Sequence, residues 1–504
     1  MKIAVIIIYI LGNLGIGYWA MRRNKNVSDF FLGGRNIGPW MSALAYGTTY
    51  FSAVLFVGYA GRLGWGFGMG VMWIVIGNVV LGSFLAWRVL GAPTRHMTVR
   101  LSALTMPEFL EARYGSTFLK AFSAIIIFCL LVPYSASVYM GLSYLFKANF
   151  NMSYTVALSS LALMTGLYLI MGGYFALTLT DFIRGIIEVA GVFVMVIFLT
   201  NMHGGLPAAA DRLMAPEYMP AFQKAATLDN GLLIPGWLTL ACLVVVTSLG
   251  PWGLPQMVQK FYSIKSASDI TRTMWVASVF SLIIAFGAYF TGALTHLFYA
   301  TPPAEIMAGG KPDLDQLMPF FLVTQTPAWV SLVILLLIFS ASMSSLSSLV
   351  LVASSAIVID LLGGSKPEAR KNSMTLMRVF CAVFVALSLY VAYYRFDFIM
   401  NLMVMSWGAL AGSFLAPFVY GLFWRRATKA AAITSFLVGL TLSLGLSFYL
   451  GKNGVPIAGA VAMLVPLIVM PIVSLLTPAP EPARVAKAFG SGEVEACAAE
   501  PARV

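Results

Sequence analysis

The sequence predicts an all-α membrane protein with thirteen transmembrane helices, and its composition and residue pattern support this fold class. The 504 residues are 60% hydrophobic and only 10% charged, whereas soluble proteins carry about a quarter charged residues. The apolar residues form long runs, and a helix needs roughly 20 such residues to cross the hydrocarbon core. Charges, glycine or proline separate one run from the next, which predicts a multi-pass helical protein.

Thirteen apolar runs are numbered here as spans 0 to 12 in chain order. The two longest external segments, near 203–230 and 300–325, contain proline and acidic residues, and we expect short lid-like elements there. The segment after Thr477 is rich in Ala, Pro, Glu and Gly, which predicts disorder. The spans lie near residues 2–21, 40–61, 66–92, 118–147, 152–171, 178–202, 231–260, 272–299, 326–361, 374–394, 399–423, 427–450 and 455–476.

The lysine and arginine residues predict the orientation, since cytoplasmic loops collect positive charge. If the loop after span 0 is cytoplasmic, that side receives 23 of the 31 lysines and arginines and the other side receives 8. We therefore expect the N-terminus outside and the C-terminus in the cytoplasm, with the chain in the cell inner (plasma) membrane. This pattern also accounts for the net charge of +12 without a nucleic-acid partner, because the basic residues form no patch on a soluble surface.

Residue types used in catalysis are scattered along the chain. The four cysteines and three histidines have no metal-binding or redox spacing. We therefore expect neither an enzyme nor a resident metal site, and the sequence indicates no obligate protein partner.

Two spans carry interruptions in corresponding positions. Residues 45–52 form a polar patch in span 1, and residues 247–256 of span 6 contain two prolines and two glycines. Proline removes a backbone donor, and the carbonyls it frees need partners inside protein or a wet cavity. The five-helix separation is what two inverted five-helix repeats would give, and such breaks mark transporter binding sites. The alternative is that each break is only a kink.

Span 8 carries a serine-rich face, and span 5 carries charged residues. Ala341, Ser344, Ser345 and Ser348 share one helical face, and serine hydroxyls suit a hard cation such as sodium. The alternative is that these small residues only allow close helix packing.

In span 5, Asp181, Arg184 and Glu188 stand at i, i+3 and i+7. An ionisable residue at membrane depth is a functional candidate. The alternative is an ion-paired stripe along the helix.

Several short motifs resemble the sodium:solute symporter family. They are SDFFLGGR at 28–35, GGY at 172–174, TD at 180–181, GLP at 253–255 and QKF at 259–261, together with the serine run of span 8. The resemblance covers roughly residues 1–450. It implies a LeuT-type fold of five-plus-five inverted repeats, with one helix before the core and two after it.

The implied division of the chain has five parts. They are 1–38 (first helix and cytoplasmic linker), 39–202 (first repeat, helices 1–5), 203–424 (second repeat, helices 6–10), 425–477 (two C-terminal helices) and 478–504 (disordered cytoplasmic tail).

The resemblance also implies sodium sites. The family's shared site falls on the carbonyls of Thr48, Phe51 and Ala341 and on the hydroxyls of Ser344 and Ser345. A second sodium, held by some members, falls on Asp181, Ser344, Ser347 and Ser348.

The substrate positions depart from those of the family's proline carriers. Tyr50 stands where those carriers have aspartate, and Thr247 and Pro251 stand where they have tryptophan and tyrosine. Tyr134 matches an aromatic residue that they place at the substrate. The expected cavity lining is Thr49, Ser52, Tyr134, Ser137, Thr247, Trp252, Gln256, Ser406 and Trp407.

Together these features predict a sodium-coupled secondary active symporter that imports a small organic solute by alternating access. The predicted cavity is polar and uncharged, and the positive ends of broken helices favour a carboxylate as the solute. A proton-coupled carrier of the same fold and a solute-binding membrane sensor remain alternatives.

Overall fold

The computed structural model describes residues 2–21, 32–169, 174–218, 225–228, 230–363 and 370–490. Within these ranges the chain is almost entirely helical, with eighteen helices and two short β-hairpins. Residues 28–31 and Gly172–Gly173, which belong to the family motifs, lie outside the described residues.

The helices of the first half are numbered in chain order. They are α1 (Lys2–Met21), α2 (Pro39–Tyr50), α3 (Val54–Arg100, bent near Gly68), α4 (Met106–Tyr114), α5 (Thr117–Phe150), α6 (Tyr154–Leu169), α7 (Tyr174–Asn201), α8 (Leu206–Leu213) and α9 (Gly236–Gly253).

The second half continues the same numbering. Its helices are α10 (Pro255–Ser263), α11 (Ile270–Phe298), α12 (Leu317–Thr324), α13 (Ala328–Leu361), α14 (Arg370–Tyr394), α15 (Ile399–Phe423), α16 (Lys429–Leu450), α17 (Val455–Leu476) and α18 (Pro482–Phe489).

Length and composition confirm an all-helical membrane protein. Ten of the described helical segments are long and apolar enough to cross a membrane: α3, α5, α7, α9, α11, α13, α14, α15, α16 and α17. Three further apolar segments, α1, α2 and α6, are shorter or interrupted.

The external segments contain short elements. The first has α8 and an antiparallel hairpin, in which β1 (Ala225–Thr227) pairs with β2 (Leu233–Pro235) and Ala226 lies opposite Ile234. The second has β3 (Met307–Ala308), β4 (Lys311–Pro312) and α12.

The start of span 6 differs from the prediction. The span was predicted to begin at residue 231, whereas helix α9 begins at Gly236. The preceding residues pair with β1 instead, and the extended backbone of Pro235 (φ −60°, ψ 138°) ends the strand directly before the helix.

Two helices form the centre of the bundle. In the most apolar stretches of α13 and α15, 89% of the residues are buried, compared with 33% in α14. A helix buried on all sides has no lipid-facing side to keep apolar, so α13 can present its serines to the neighbouring helices.

The predicted disorder of the tail is wrong for residues 482–489, which form α18. Arg484 donates to the carbonyl of Tyr114 (3.0 Å), and Arg100 donates to the carbonyl of Phe489 (2.8 Å). The Phe489 ring also lies 5.2 Å from the Arg113 guanidinium carbon. These tertiary contacts hold a segment whose composition alone does not favour folding. Residues 491–504 lie outside the described part of the chain.

Candidate functional site

The first helix break lies between α2 and α3. Phe51 has an extended backbone (φ −113°, ψ 129°), so the helical hydrogen-bond ladder stops there. The Ser342 hydroxyl accepts from the backbone N–H of Ala53 (3.0 Å), and the Ser52 hydroxyl accepts from that of Val54 (3.2 Å). The break is therefore held open by side-chain caps, one of which comes from α13.

The carbonyls at the end of α2 face the serines of α13. Ser345 Oγ lies 3.2 Å from the carbonyl oxygen of Thr48 and 3.3 Å from that of Thr49, and it donates towards both. Ser344 Oγ donates to Thr48 Oγ1 at 2.8 Å. We call Thr48, Ser344 and Ser345 the neutral cluster, and all three are fully buried.

The neutral cluster includes three of the five residues predicted for the first sodium. The other two are also buried: Phe51 lies at the break itself, and Ala341 lies one helical turn before Ser345 on α13. The structure thus brings hydroxyl and carbonyl oxygens from two helices together in a buried place, with the Asp181 carboxyl within hydrogen-bond reach of Ser344. Oxygen ligands of this kind suit a hard cation.

A second group of oxygens lies beside the first. Asp181 on α7 is fully buried, and its Oδ1 is 3.4 Å from Arg184 Nη1 while its Oδ2 is 3.9 Å from Lys260 Nζ. Lys260 Nζ also donates to Ser348 Oγ at 3.3 Å. We call Asp181, Lys260 and Ser348 the charged cluster.

The two clusters share a hydrogen bond. Thr49 Oγ1 and Ser348 Oγ are 3.0 Å apart, and the carbonyl of Thr49 accepts from Ser345. Ser347, which was predicted for the second sodium, donates to the carbonyl of Met343 in its own helix (2.6 Å).

The position of Lys260 was missed in the sequence analysis, although the residue belongs to the QKF motif. The signal was present, because a lysine six residues after the break at Leu254 stands in a span otherwise free of charge. The ion pair between Asp181 and Arg184, which was the alternative interpretation of span 5, is present.

The second break lies at Leu254, between α9 and α10, where the backbone is extended (φ −76°, ψ 123°). Pro251 lies within α9, so the first of the two prolines does not end the helix. Proline cannot donate to the carbonyl four residues before it, and the Tyr50 hydroxyl donates to that carbonyl, on Thr247, at 2.6 Å. Tyr50 thus satisfies the oxygen that Pro251 leaves unpaired.

A small cavity of about 20 Å³ lies between the two breaks, and this is room for about one water molecule. Aromatic and uncharged polar side chains form its walls. The lining residues are Tyr50, Phe51, Ser52, Leu55, Tyr59, Asn78, Thr247, Tyr289, Met403 and Trp407.

Three of the predicted substrate residues, Ser52, Thr247 and Trp407, line this cavity. Tyr134 packs edge-on against the Trp407 ring, with centroids 5.8 Å apart. Gln256 is buried at the start of α10, and its amide nitrogen and oxygen make no hydrogen bond to any described residue. An unsatisfied buried amide is costly, so Gln256 is a candidate for a polar ligand.

The remaining predicted substrate residues bond elsewhere. The Ser137 hydroxyl donates to the Tyr134 carbonyl (2.6 Å), and the Ser406 hydroxyl donates to the Leu130 carbonyl (2.5 Å). The Trp252 indole donates to the Leu81 carbonyl (2.9 Å). Thr49 faces Ser348 as described above.

The prediction also missed several wall residues of the cavity. Tyr59, Asn78, Tyr289 and Met403 come from α3, α11 and α15. Of these, only Asn78 carried a signal in the sequence, since it is a single amide in an apolar run.

The chain is similar to transporters of established function. The high-affinity proline transporter of Bacillus subtilis is 28% identical over 93% of this chain and 96% of its own length. The sodium/proline symporter of Escherichia coli is 26% identical over 99% of this chain and 97% of its own length. The sodium/pantothenate symporter of Haemophilus influenzae is 26% identical over 86% of this chain and 88% of its own length.

Solved structures share the fold. A sodium-coupled sialic acid symporter in a substrate-bound, outward-open state aligns with a TM-score of 0.75 at 19% identity, covering 95% of this chain and 98% of that one. A nucleobase-cation-symport-1 family transporter in a closed conformation aligns with a TM-score of 0.54 at 13% identity, covering 92% and 99%. The chain therefore shares the overall fold of these solved transporters.

The family profile agrees with these likenesses. It is described as the sodium:solute symporter family, and it matches residues 30–439. The relatives named above are transporters, not enzymes, and ten described helices are suited to spanning a membrane. The protein is an integral membrane transporter and belongs to the sodium:solute symporter family.

Proposed function

We propose that the chain is a sodium-coupled symporter that imports a small organic carboxylate by alternating access. The family membership supports sodium-coupled symport of a small organic solute. The observation that carries the proposal for this particular chain is the neutral cluster, where hydroxyls of α13 meet the carbonyls freed by the first helix break.

The proposed sodium ligands are the carbonyls of Thr48, Phe51 and Ala341 and the hydroxyls of Ser344 and Ser345. Ser345 now donates to the Thr48 carbonyl, and Ser344 donates to the Thr48 hydroxyl. An entering sodium would replace these two hydrogen bonds, because the same oxygens can turn their lone pairs towards it. A neutral ligand set suits a monovalent cation that must also be released.

The sequence also assigned a second sodium to Asp181, Ser344, Ser347 and Ser348, and these residues meet a different environment. Lys260 contacts two of these four residues.

The proposed architecture has thirteen spans with the N-terminus outside. The ten long apolar segments, together with α1, the interrupted α2 and the shorter α6, account for this number. The two breaks, at Phe51 and Leu254, fall in spans 1 and 6, which supports inverted repeats over 39–202 and 203–424. The two C-terminal helices then lie in 425–477.

The proposed solute site is the cavity between the breaks, with Thr49, Ser52, Tyr134, Ser137, Thr247, Trp252, Gln256, Ser406 and Trp407 as its residues. The walls are aromatic and uncharged, and the buried amide of Gln256 can donate to an anionic group. The N-terminal end of α10 adds a positive dipole end. A cavity that holds one water must open to admit a solute, which supports alternating access.

Proline itself is not the proposed solute, although the similar proteins include proline transporters. Tyr50, Thr247 and Pro251 replace the residues of the proline carriers, and Tyr50 is engaged with the Thr247 carbonyl. Saturable, sodium-dependent proline uptake at micromolar concentrations would contradict this exclusion.

Sodium coupling is tested by uptake into proteoliposomes at fixed pH, with sodium outside replaced by choline. Because the solute is unidentified, a thermal-shift screen of the purified protein against small carboxylates, with and without sodium, selects it first. A ligand that binds the folded state raises its stability by mass action, and the matching amides serve as controls. We expect uptake to stop in choline. Full uptake driven by a pH gradient alone would instead establish the proton-coupled alternative.

A further inference from the structure

The charged cluster already contains a cation that belongs to the protein. Lys260 is only 1% exposed, and its ammonium lies 3.9 Å from Asp181 Oδ2 and 3.3 Å from Ser348 Oγ. Asp181 Oδ2 accepts no hydrogen bond from the described residues, and the Lys260 ammonium is its ion-pair partner.

Lys260 uses the same oxygens that a second sodium would need. Asp181 and Ser348 belong both to the predicted second sodium set and to the contacts of Lys260. Sodium and an ammonium carry the same charge, and both are satisfied by oxygen atoms. The two cations cannot share one carboxylate oxygen without strong repulsion in a buried place.

Asp181 is already paired with basic side chains of the protein. Arg184 contacts Asp181 Oδ1 and donates to Asn13 Oδ1 (2.8 Å), and Glu188 lies one turn further along α7. Two basic side chains, Lys260 and Arg184, thus contact the single carboxylate of Asp181, and all three residues are buried. A second sodium would add an uncompensated positive charge, which burial makes unfavourable.

We propose that Lys260 is a tethered cation that takes the place of the second sodium, so that the protein binds one sodium, at the neutral cluster. Sodium can occupy the charged cluster only when the Lys260 ammonium is absent. This inference rests on the proposed function, because it takes the neutral cluster as the site of the first sodium.

The position of Lys260 also connects it with the sodium that remains. Its partner Ser348 is hydrogen-bonded to Thr49, whose carbonyl accepts from Ser345 of the neutral cluster. Lys260 lies on α10, the segment that follows the second helix break. A movement of α10 would therefore shift the tethered cation and alter the hydrogen bonds next to the first site.

The test is the number of sodium ions bound by the purified full-length protein, measured with radioactive sodium at equilibrium and with choline as the balancing cation. We expect one sodium for the unmutated protein and two for Lys260→Met, which keeps the length of the side chain and removes its charge. Lys260→Arg, which keeps the charge, should bind one sodium ion. The double variant Lys260→Met with Asp181→Asn should also bind one sodium ion, because it lacks the carboxylate of the charged cluster.

Two results would overturn the inference. They are two sodium ions in the unmutated protein, or one sodium in a folded Lys260→Met protein. If Lys260→Met does not fold, Lys260→Gln takes its place in the experiment. The number of sodium ions bound by Lys260→Gln and by the unmutated protein then decides between the two outcomes. No binding of sodium by the unmutated protein would instead refute the proposed function, so the two failures are distinguishable.

Discussion

The neutral and charged clusters lie side by side on α13, and both use serines of the same run. Ser344 and Ser345 donate to hydroxyl and carbonyl oxygens of α2, and the Asp181 carboxyl also lies within hydrogen-bond reach of Ser344. Ser348 instead accepts from the ammonium of Lys260. The neutral cluster offers oxygen atoms but no cation, whereas the charged cluster contains both oxygen atoms and a cation, the Lys260 ammonium. The same residue type thus has two roles, which depend on whether the neighbouring helix brings a cation.

The difference between the two clusters depends most on the pairing of Asp181 with Lys260. Breaking that pair should therefore have the largest effect on stability. Asp181→Asn leaves a buried ammonium without a carboxylate, and losing one partner of a buried pair costs about 3 to 5 kcal/mol. We expect the free energy of unfolding to fall by this order, as measured by denaturant unfolding in detergent.

Two controls distinguish pairing from a general effect of the substitution. Asp211→Asn, at an exposed position of α8, should leave stability unchanged. The double variant Asp181→Asn with Lys260→Met should recover most of the lost free energy of unfolding, because it removes both charges together. An Asp181→Asn protein as stable as the unmutated one would show that the two residues are not paired in solution.

A smaller effect is expected at the neutral cluster, where a single hydroxyl is removed and the ion pair between Asp181 and Lys260 remains. Ser344→Ala and Ser345→Ala should each raise the sodium dissociation constant about tenfold, which corresponds to about 1.4 kcal/mol. Stability should change little, because alanine packs well at these small-residue positions. Sodium titration followed by thermal shift measures both quantities.

Ser355→Ala is the matched control for these two variants. Ser355 is a buried serine of the same helix segment, and its hydroxyl donates to the carbonyl of Val352 (2.8 Å). The sodium affinity of the Ser355→Ala protein should equal that of the unmutated protein. If all three alanine variants behave alike, the serines of α13 serve helix packing, which was the alternative interpretation.

The smallest effect is expected outside the membrane, at Asp315. This carboxyl precedes α12, accepts from the backbone N–H of Ile399 (3.0 Å) and lies 3.6 Å from Arg62 Nη2. It thereby joins an external segment to the start of α15 and to α3. Burial, opposed by Arg62 and the Ile399 hydrogen bond, raises the pKa of Asp315 from 3.8 to about 6.

The sign of the pH effect follows from this raised pKa. If opening exposes Asp315 to water, its pKa returns towards about 3.9, so the closed form binds the proton more tightly. Protonation therefore stabilises the closed form fully below the lower pKa, and this stabilisation is lost as the pH rises through about 6. Lowering the external pH from about 7 to about 5 should slow uptake severalfold.

Asp315→Asn keeps an oxygen acceptor for Ile399 and removes the titration, so its uptake should lose this pH dependence. An unchanged pH profile in Asp315→Asn would assign the effect to another group, with the charged cluster as the first candidate. This experiment therefore also tests whether the charged cluster contributes to the pH dependence in this range.

Several features of the site could be predicted from the sequence because they are local. The break in span 1 follows from the polar patch at 45–52, and the structure ends α2 at Tyr50, within that patch. The serine face of α13 follows from helical periodicity alone. The ion pair between Asp181 and Arg184 follows from their i, i+3 spacing.

Other features could not be predicted because they join distant parts of the chain. Pro251 was expected to help break span 6, but Tyr50, about two hundred residues earlier, satisfies the carbonyl that this proline frees. The tail was expected to be disordered, but basic residues of α3 and α4 hold α18.

The sequence by itself determined that the chain is helical, that it spans a membrane, that two of its spans are interrupted and that serine oxygens line one face of α13. Periodicity and composition carry this information, because both act over a few helical turns. Only the tertiary structure decided that Ser345 faces the carbonyls of α2 while Ser348 faces Lys260. The physical reason is that a cation's partners are set by distance in space, and Lys260 and Asp181 are brought together only when α10 and α7 pack around α13.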